Sequence, residues 1–77
     1  MITTTVLLDT ISAVKTFVSM ASECDYEIDL QDKRHLVDGK SIMGIFSLDL
    51  SGPLKLIAHT DDASEFFEAI APFKVED

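Results

Sequence analysis

Residues 25–31 alternate strictly between polar and apolar side chains. Tyr26, Ile28 and Leu30 are the apolar members, and carboxylates or an amide occupy every position between and beside them. This period of two is typical of a β-strand that turns one face to a core and the other to water. A sheet with one charged face can be covered only on its other face, so we expect its helices to lie together on one side.

The apolar spacing of the remaining chain predicts six more elements around this strand. β-branched and aliphatic residues, or alternation, predict the strands, and apolar residues three and four apart predict the helices. The predicted strands are 3–8, 33–37 and 54–59, and the predicted helices are 10–22, 41–50 and 62–72. The sequence thus predicts an α+β fold of order βαββαβα, with a four-stranded antiparallel sheet and three helices on one face.

Local signals refine these elements. The apolar face of the first helix is expected to include Ile11, with Asp9 or Thr10 as its N-cap. The basic start of strand 33–37 is expected to lie opposite the acidic face of strand 25–31. Asp62 and Glu65 have the spacing of a capping box. The predicted core contains the apolar residues Phe17, Ile28, Phe66, Phe67 and Ile70.

The composition indicates one small acidic domain spanning 1–77. The 77 residues include 6 Lys and Arg against 14 Asp and Glu, a net charge of −8, and 47% are hydrophobic. That apolar fraction is too high for a disordered acidic tail, and the charge disfavours nucleic acid and anionic membranes as partners. The single Cys24 cannot form an internal disulfide, which favours a reducing, cytoplasmic setting.

Candidate catalytic and metal-ligating residues are scattered. His35 and His59 fall on different predicted strands and form no zinc-ligand spacing with Cys24, so we interpret them as surface residues. Asp25, Glu27 and Asp29 lie on one face of a strand without a glycine-turned loop that could wrap a cation. No nucleophile motif is present, so we expect neither enzyme activity, nor a metal, nor a cofactor.

One motif is more specific. By itself, Ser41 after Gly39-Lys40 predicts a helix N-cap. The run Lys40–Gly44, followed by Ser47-Leu48, also resembles the regulatory-serine segment of HPr, the phosphocarrier protein of the bacterial sugar phosphotransferase system. Residues 16–18 resemble the Gln-Phe-Val of the first helix in that family, so the resemblance covers nearly the whole chain.

The resemblance implies an HPr-like open-faced β-sandwich and a set of site residues. It implies that Ser41 is a regulatory phosphorylation site and that Ile42, Met43 and Phe46 form a partner-binding patch beside it. The alternative is that these side chains belong to the core. The implied partners are proteins, namely phosphotransferase-system or transcription-regulator proteins, and the expected assembly is a monomer or weak dimer.

The chain departs from the family pattern where HPr proteins carry their phosphoryl group. Aligned without gaps from the Ser41 motif, Thr10 stands at the position of the family's phosphohistidine, Ser12 at that of its arginine and Ala13 at that of its proline. In this respect the chain is similar to the catabolite-repression paralogue of HPr. We favour a histidine-less regulatory or interaction module. The alternatives are an active phosphocarrier that uses Thr10, and an HPr-fold domain recruited to an unrelated partner.

Overall fold

The computed structural model of the chain describes residues 1–75. Its elements, in chain order, are β1 (Ile2–Val6), α1 (Ile11–Ser22), β2 (Ile28–Gln31), β3 (Leu36–Asp38), α2 (Ile42–Phe46), β4 (Leu54–Ala58) and α3 (Ser64–Ala69), and a 3-10 turn follows at Ala71–Phe73. The α+β class and the predicted βαββαβα order are confirmed.

The four strands form one antiparallel sheet in the spatial order β1-β4-β2-β3. β4 pairs with β1 from Ile2↔Ala58 to Val6↔Leu54, and with β2 from Ile28↔Ala58 to Gln31↔Lys55. This register puts the end of β1, the end of β2 and the starts of β3 and β4 at one end of the sheet. The chain enters α1 from that same end, because α1 follows β1 after a short loop.

The core lies between the helices and one face of the sheet. Four of the five predicted core residues, Phe17, Ile28, Phe66 and Ile70, are buried. Phe67 is only half-buried against the edge of the core, so that part of the prediction is wrong. Successive residues on a helix point about 100° apart, and Phe66 takes the inward direction.

Ile11 also differs from the expectation, because its side chain is 64% exposed. The buried stripe of α1 is formed by Val14, Phe17 and Ala21. At 100° per residue, Ile11 lies roughly 90° from the centre of that stripe and in the first turn of the helix. The core therefore does not reach it.

The predicted strand 33–37 is replaced by a loop and a shorter strand. Asp32 Oδ1 accepts hydrogen bonds from the backbone N–H groups of Arg34 (2.8 Å) and His35 (2.7 Å), which turns the chain before β3 begins. The expected pairing of basic with acidic residues is therefore wrong, since Asp29 lies opposite Asp38 and Gln31 opposite Leu36.

Two predicted helices are shorter than expected. α2 ends at Phe46, and the N–H of Asp49 points to Asp32 Oδ2 (3.0 Å) instead of continuing the helix. The Asp62–Glu65 capping box does not form, because the Asp62 carboxylate accepts hydrogen bonds from the N–H and hydroxyl of Ser64.

None of the helices in residues 1–75 has the length and apolar character needed to cross a membrane.

Candidate functional site

The start of α1 is capped by Thr10. This residue has extended backbone angles (φ −131°, ψ 155°), and its Oγ1 accepts a hydrogen bond from the N–H of Ala13 at 3.0 Å. Asp9, Thr10 and Ser12 are all exposed. Thr10 therefore lies at the surface, and its hydroxyl oxygen takes part in the helix cap.

The two histidines lie on other elements, just outside the strands in which the sequence placed them. His59 follows β4 at the end of the sheet opposite the start of α1, and its Nε2 lies 2.7 Å from Asp29 Oδ2. His35 lies in the loop before β3, with its Nδ1 3.7 Å from Asp32 Oδ1. Residues 1–75 contain no cluster of three His, Cys, Asp or Glu side chains that could hold a metal ion.

Ser41 is the N-cap of α2. Its backbone is extended (φ −103°, ψ 110°), its Oγ accepts a hydrogen bond from the N–H of Gly44 at 3.1 Å, and its carbonyl accepts one from the N–H of Ile45 at 3.0 Å. Gly44 leaves space for this arrangement, because a Cβ there would lie 3.2 Å from Ser41 Oγ and 3.3 Å from Val37 Cβ. The predicted serine cap is confirmed.

A tight turn at Asp38-Gly39 delivers Ser41 to this position. Asp38 Oδ1 accepts a hydrogen bond from the N–H of Lys40 (2.9 Å), and the Asp38 carbonyl accepts one from the N–H of Ser41 (3.0 Å). The N–H of Gly39 donates to the carbonyl of Ile28 at 2.6 Å, which ties the turn to β2. The cap is thus built on the sheet.

Lys40 is the basic residue next to Ser41, but its ammonium group points elsewhere. Lys40 Nζ donates a hydrogen bond to the carbonyl of Cys24 at 2.7 Å. Cys24 lies just beyond the end of α1, where backbone carbonyls attract a cation. Lys40 therefore links the start of α2 to the end of α1.

α2 divides its apolar residues between the core and the solvent. Ile45 is fully buried and Ile42 is half-buried, whereas Met43 is 77% exposed and Phe46 is 42% exposed. The alternative in which all of these side chains belong to the core is wrong for Met43 and Phe46. The surface beside Ser41 is therefore apolar at Met43 and Phe46, with Ile42 at its inner edge.

No pattern in the sequence indicated that Asp32 organises the two loops beside α2. Its carboxylate accepts hydrogen bonds from the N–H groups of Asp49, Arg34 and His35, and these bonds lower its pKa from 3.8 to about 2. The nearby Asp49 carboxylate accepts hydrogen bonds from the hydroxyl and N–H of Ser51, which lower its pKa as well. An Asp before a turn is a common local signal in a sequence. No local signal indicates that the same Asp also accepts a hydrogen bond from Asp49, 17 residues away.

Known proteins resemble this chain in sequence and in structure. Residues 11–74 match the family model described as "PTS HPr component phosphorylation site". A comparison with curated protein sequences finds no match.

Several solved structures share the fold over nearly the whole chain. The structure of HPr-C-His from Thermoanaerobacter tengcongensis superimposes with a TM-score of 0.79 at 30% identity, covering 94% of this chain and 89% of that one. The phosphocarrier protein HPr from Bacillus anthracis superimposes with a TM-score of 0.77 at 25% identity, covering 96% of each chain. Crh from Bacillus subtilis, described as a catabolite repression containing protein, superimposes with a TM-score of 0.68 at 29% identity, covering 96% of this chain and 88% of that one.

The family match spans most of the chain, and the four-stranded antiparallel sheet with three helices agrees with it. Proteins of this family are phosphocarriers and are not themselves enzymes. The chain belongs to the HPr family of the bacterial sugar phosphotransferase system.

Proposed function

We propose that this protein is a regulatory, protein-interaction member of the HPr family that has lost the phosphoryl-accepting histidine. The observation that carries the proposal is Thr10, which caps α1 where the alignment from the Lys40–Gly44 run expects the phosphohistidine. Ser41 serves as the phosphorylation site that controls binding, and Ile42, Met43 and Phe46 contact the partner. The partners are phosphotransferase-system or transcription-regulator proteins, and the protein acts as a monomer or weak dimer.

Chemistry at the start of α1 supports this proposal. A carrier needs a nucleophile whose phosphoryl bond is easily transferred, as the imidazole nitrogen provides and a threonine hydroxyl does not. Ser12 offers no positive charge to neutralise a phosphoryl group, and Asp9 adds a negative one nearby. Thr10 and its neighbours therefore lack the groups that phosphoryl transfer requires.

The remaining histidines do not replace the missing one. The ring of His59 contacts Asp29 at the end of the sheet opposite the start of α1. The ring of His35 is exposed and lies on the loop before β3, so it is presented by a different element. A donor that docks on the start of α1 would meet neither ring in the family's position.

The surroundings of Ser41 support a regulatory role. A phosphoryl group on Ser41 Oγ would place a dianion beside the exposed Met43 and Phe46, and so change the charge of an apolar surface. The half-buried hydroxyl lies at the helix terminus rather than in the core, so this modification leaves the fold intact. Crh, a catabolite repression containing protein that forms an intertwined dimer, shares the fold of this chain, which is consistent with a regulatory role.

The decisive experiment measures phosphorylation by mass spectrometry in two separate reactions. With phosphoenolpyruvate and the general phosphotransferase enzyme, we expect no label on this protein while HPr in the same tube is labelled. With HPr kinase and ATP, we expect one acid-stable phosphoryl group on the parent protein and none on Ser41→Ala. The double variant Thr10→His/Ser12→Arg tests whether the scaffold still accepts a donor.

Each outcome decides between the candidates. An acid-labile phosphoryl group on the parent protein, or label on Thr10, would establish a phosphocarrier. Label on the Thr10→His/Ser12→Arg variant alone would support loss of carrier chemistry on an intact scaffold. Absence of kinase-dependent label from Ser41 would contradict the regulatory proposal.

A further inference from the structure

A cleft lies between the end of α1 and the start of α3. Its lining comes from residues 20–26 on one wall and from residues 62–69 on the other, and includes neither the Thr10 cap nor any residue of α2. Its volume is about 480 Å³, within the range of roughly 300–1,000 Å³ that is usual for ligand pockets. We call this feature the α1–α3 cleft.

The deepest part of the cleft is apolar and is fixed by the core. Ala63 and Phe66 line it and are only 4% and 5% exposed. The ring of Phe66 packs edge-on against that of Phe17, with centroids 5.8 Å apart. The half-buried Met20 and Tyr26 line the side that belongs to α1 and the residues after it. This apolar floor can contact the aliphatic stem of a long side chain.

The rim of the cleft is acidic on both walls. Glu23 and Asp25 stand on one wall, Asp62 and Glu65 stand on the other, and all four are exposed. No Lys, Arg or His lines the cleft, so its lining carries four negative charges and no positive one. Half of the chain's net charge of −8 is therefore concentrated on eleven of its 77 residues.

These charges are not neutralised within the part of the chain that the structure describes. Across residues 1–75, the carboxylates of Glu23, Asp25 and Glu65 accept no hydrogen bond and form no salt bridge. The Asp62 carboxylate accepts hydrogen bonds from Ser64 alone, and these lower its pKa, so it stays ionised. The cleft thus presents its full negative charge to the solvent.

The end of α1 adds to the negative potential of the cleft. Backbone carbonyls at the C-terminal end of a helix attract cations, yet the last turn of α1 contains no basic residue and its C-cap is the acidic Glu23. Lys40 reaches this region, but its Nζ donates to the carbonyl of Cys24 (2.7 Å) and not to a carboxylate. Burial, and then a hydrogen bond with Cys24, raise the pKa of Tyr26 to about 12, so its ring stays neutral.

We propose that the α1–α3 cleft binds an arginine-bearing segment of a partner protein. A guanidinium group pairs with carboxylates and stacks on aromatic rings such as that of Tyr26, and its aliphatic stem suits the apolar floor. Negative charge on both walls also attracts the segment and orients it. The proposal goes beyond the proposed function, because it requires neither a phosphoryl group on Ser41 nor the exposed Met43.

A divalent metal ion fits the cleft poorly. Such an ion needs several oxygen ligands that converge on one point, at distances of about 2.0–2.6 Å. Residues 1–75 contain no group of three His, Cys, Asp or Glu side chains that could hold one. Carboxylates on two separate walls above an apolar floor instead match a cation carried at the end of a long side chain.

The test uses a fluorescein-labelled peptide that alternates arginine with alanine, titrated with the intact protein and followed by anisotropy. We expect saturable binding that weakens as salt rises, because salt screens exposed charges. Amide NMR shifts should be confined to residues 20–26 and 62–69. A peptide with glutamine in place of each arginine should not bind.

Variants locate the contact. Glu23→Gln/Glu65→Gln removes two rim charges that make no contact within residues 1–75, and should bind about five- to tenfold more weakly. The matched control Glu27→Gln/Glu68→Gln removes the same charge from exposed positions near the cleft that do not line it, and should bind as the parent does. Ala69→Lys, which puts a cation at the exposed rim, should weaken binding more than Ala69→Gln.

Four outcomes would contradict the proposal. The arginine peptide does not bind saturably, or the cleft variant and its control lose affinity equally. Spermidine or Mg²⁺ alone produces the same amide shifts at the same concentration, which would show a site for a free cation. The parent protein self-associates through the cleft and Lys33→Gln/Arg34→Gln abolishes this, which would place a second copy of the chain there instead of another protein.

Discussion

Gly39 occupies a position where the neighbouring strand leaves no room for a side chain. A Cβ there would lie 2.9 Å from Ile28 Cγ2 and 3.0 Å from the Ile28 carbonyl oxygen, which is backbone and cannot move aside cheaply. We expect Gly39→Ala to lower the free energy of unfolding by about 1–3 kcal/mol, measured by urea denaturation. Gly52→Ala is the control, because no atom lies within 4 Å of its Cβ and its stability should be unchanged or raised by up to about 1 kcal/mol. Equal effects of the two substitutions would contradict this explanation.

Thr10 and Ser41 show that one local geometry can occur at two sites with different proposed roles. Each hydroxyl oxygen accepts the N–H of the residue three positions later, at 3.0 Å and 3.1 Å. The caps themselves are structural, and replacing such a residue with Ala typically costs about 1 kcal/mol. Their proposed roles depend on what surrounds them: in our proposal Thr10 lacks the groups of a phosphoryl carrier, whereas Ser41 adjoins the exposed apolar side chains of Met43 and Phe46.

At the scale of elements, the loop between β2 and β3 depends on the charge of Asp32. Hydrogen bonds from Asp49, Arg34 and His35 lower the pKa of this carboxyl from 3.8 to about 2. A group whose pKa is lower in the folded state stabilises the fold above its unfolded pKa, and this contribution is lost as the pH falls from about 3.8 through about 2. The lowered pKa values of Asp49 and Asp62 act in the same direction.

We therefore expect Asp32→Asn to be less stable than the parent protein at pH 7 and to lose less stability on acidification. The measurement is the urea midpoint at pH 7, at about pH 4 and near pH 2, which brackets the pKa values of 3.8 and about 2. Asp9→Asn is the control, because the carboxylate of Asp9 accepts no hydrogen bond from any group in residues 1–75. If the urea midpoints of the parent and of Asp32→Asn change in parallel with pH, the Asp32 carboxylate does not contribute to the pH dependence of stability in this range.

At the scale of the whole molecule, the exposed apolar side chains differ in their surroundings. Met43 lies beside the proposed regulatory serine, whereas Leu36 is 56% exposed on the edge strand β3. We expect Met43→Asp to abolish capture of the protein's regulatory partners in a pull-down from cell extract, while leaving the thermal midpoint unchanged. Leu36→Asp introduces the same charge at another exposed apolar position and should retain those partners. If Met43→Asp retains every partner, α2 is not the surface through which the protein works.

The sequence by itself determined the order of the elements, the Ser41 cap and the one-sided burial of the sheet, and it narrowed the cap of α1 to Asp9 or Thr10. These features depend on residues close in the chain: the period-two alternation of β2, the three-and-four spacing of α1, and hydroxyls that bond three residues onward. The resemblance in the Lys40–Gly44 run likewise predicted the family that the comparisons show.

Tertiary structure alone decided the features that depend on distant partners. Asp32 accepts a hydrogen bond from the N–H of Asp49, 17 residues away, and so joins the loop before β3 to the loop after α2. Lys40 reaches the carbonyl of Cys24, 16 residues away. Phe66, rather than Phe67, lies in the core, where its ring packs against that of Phe17 with centroids 5.8 Å apart. Such contacts arise only when separate segments meet, and no local pattern of residues encodes which segments will do so.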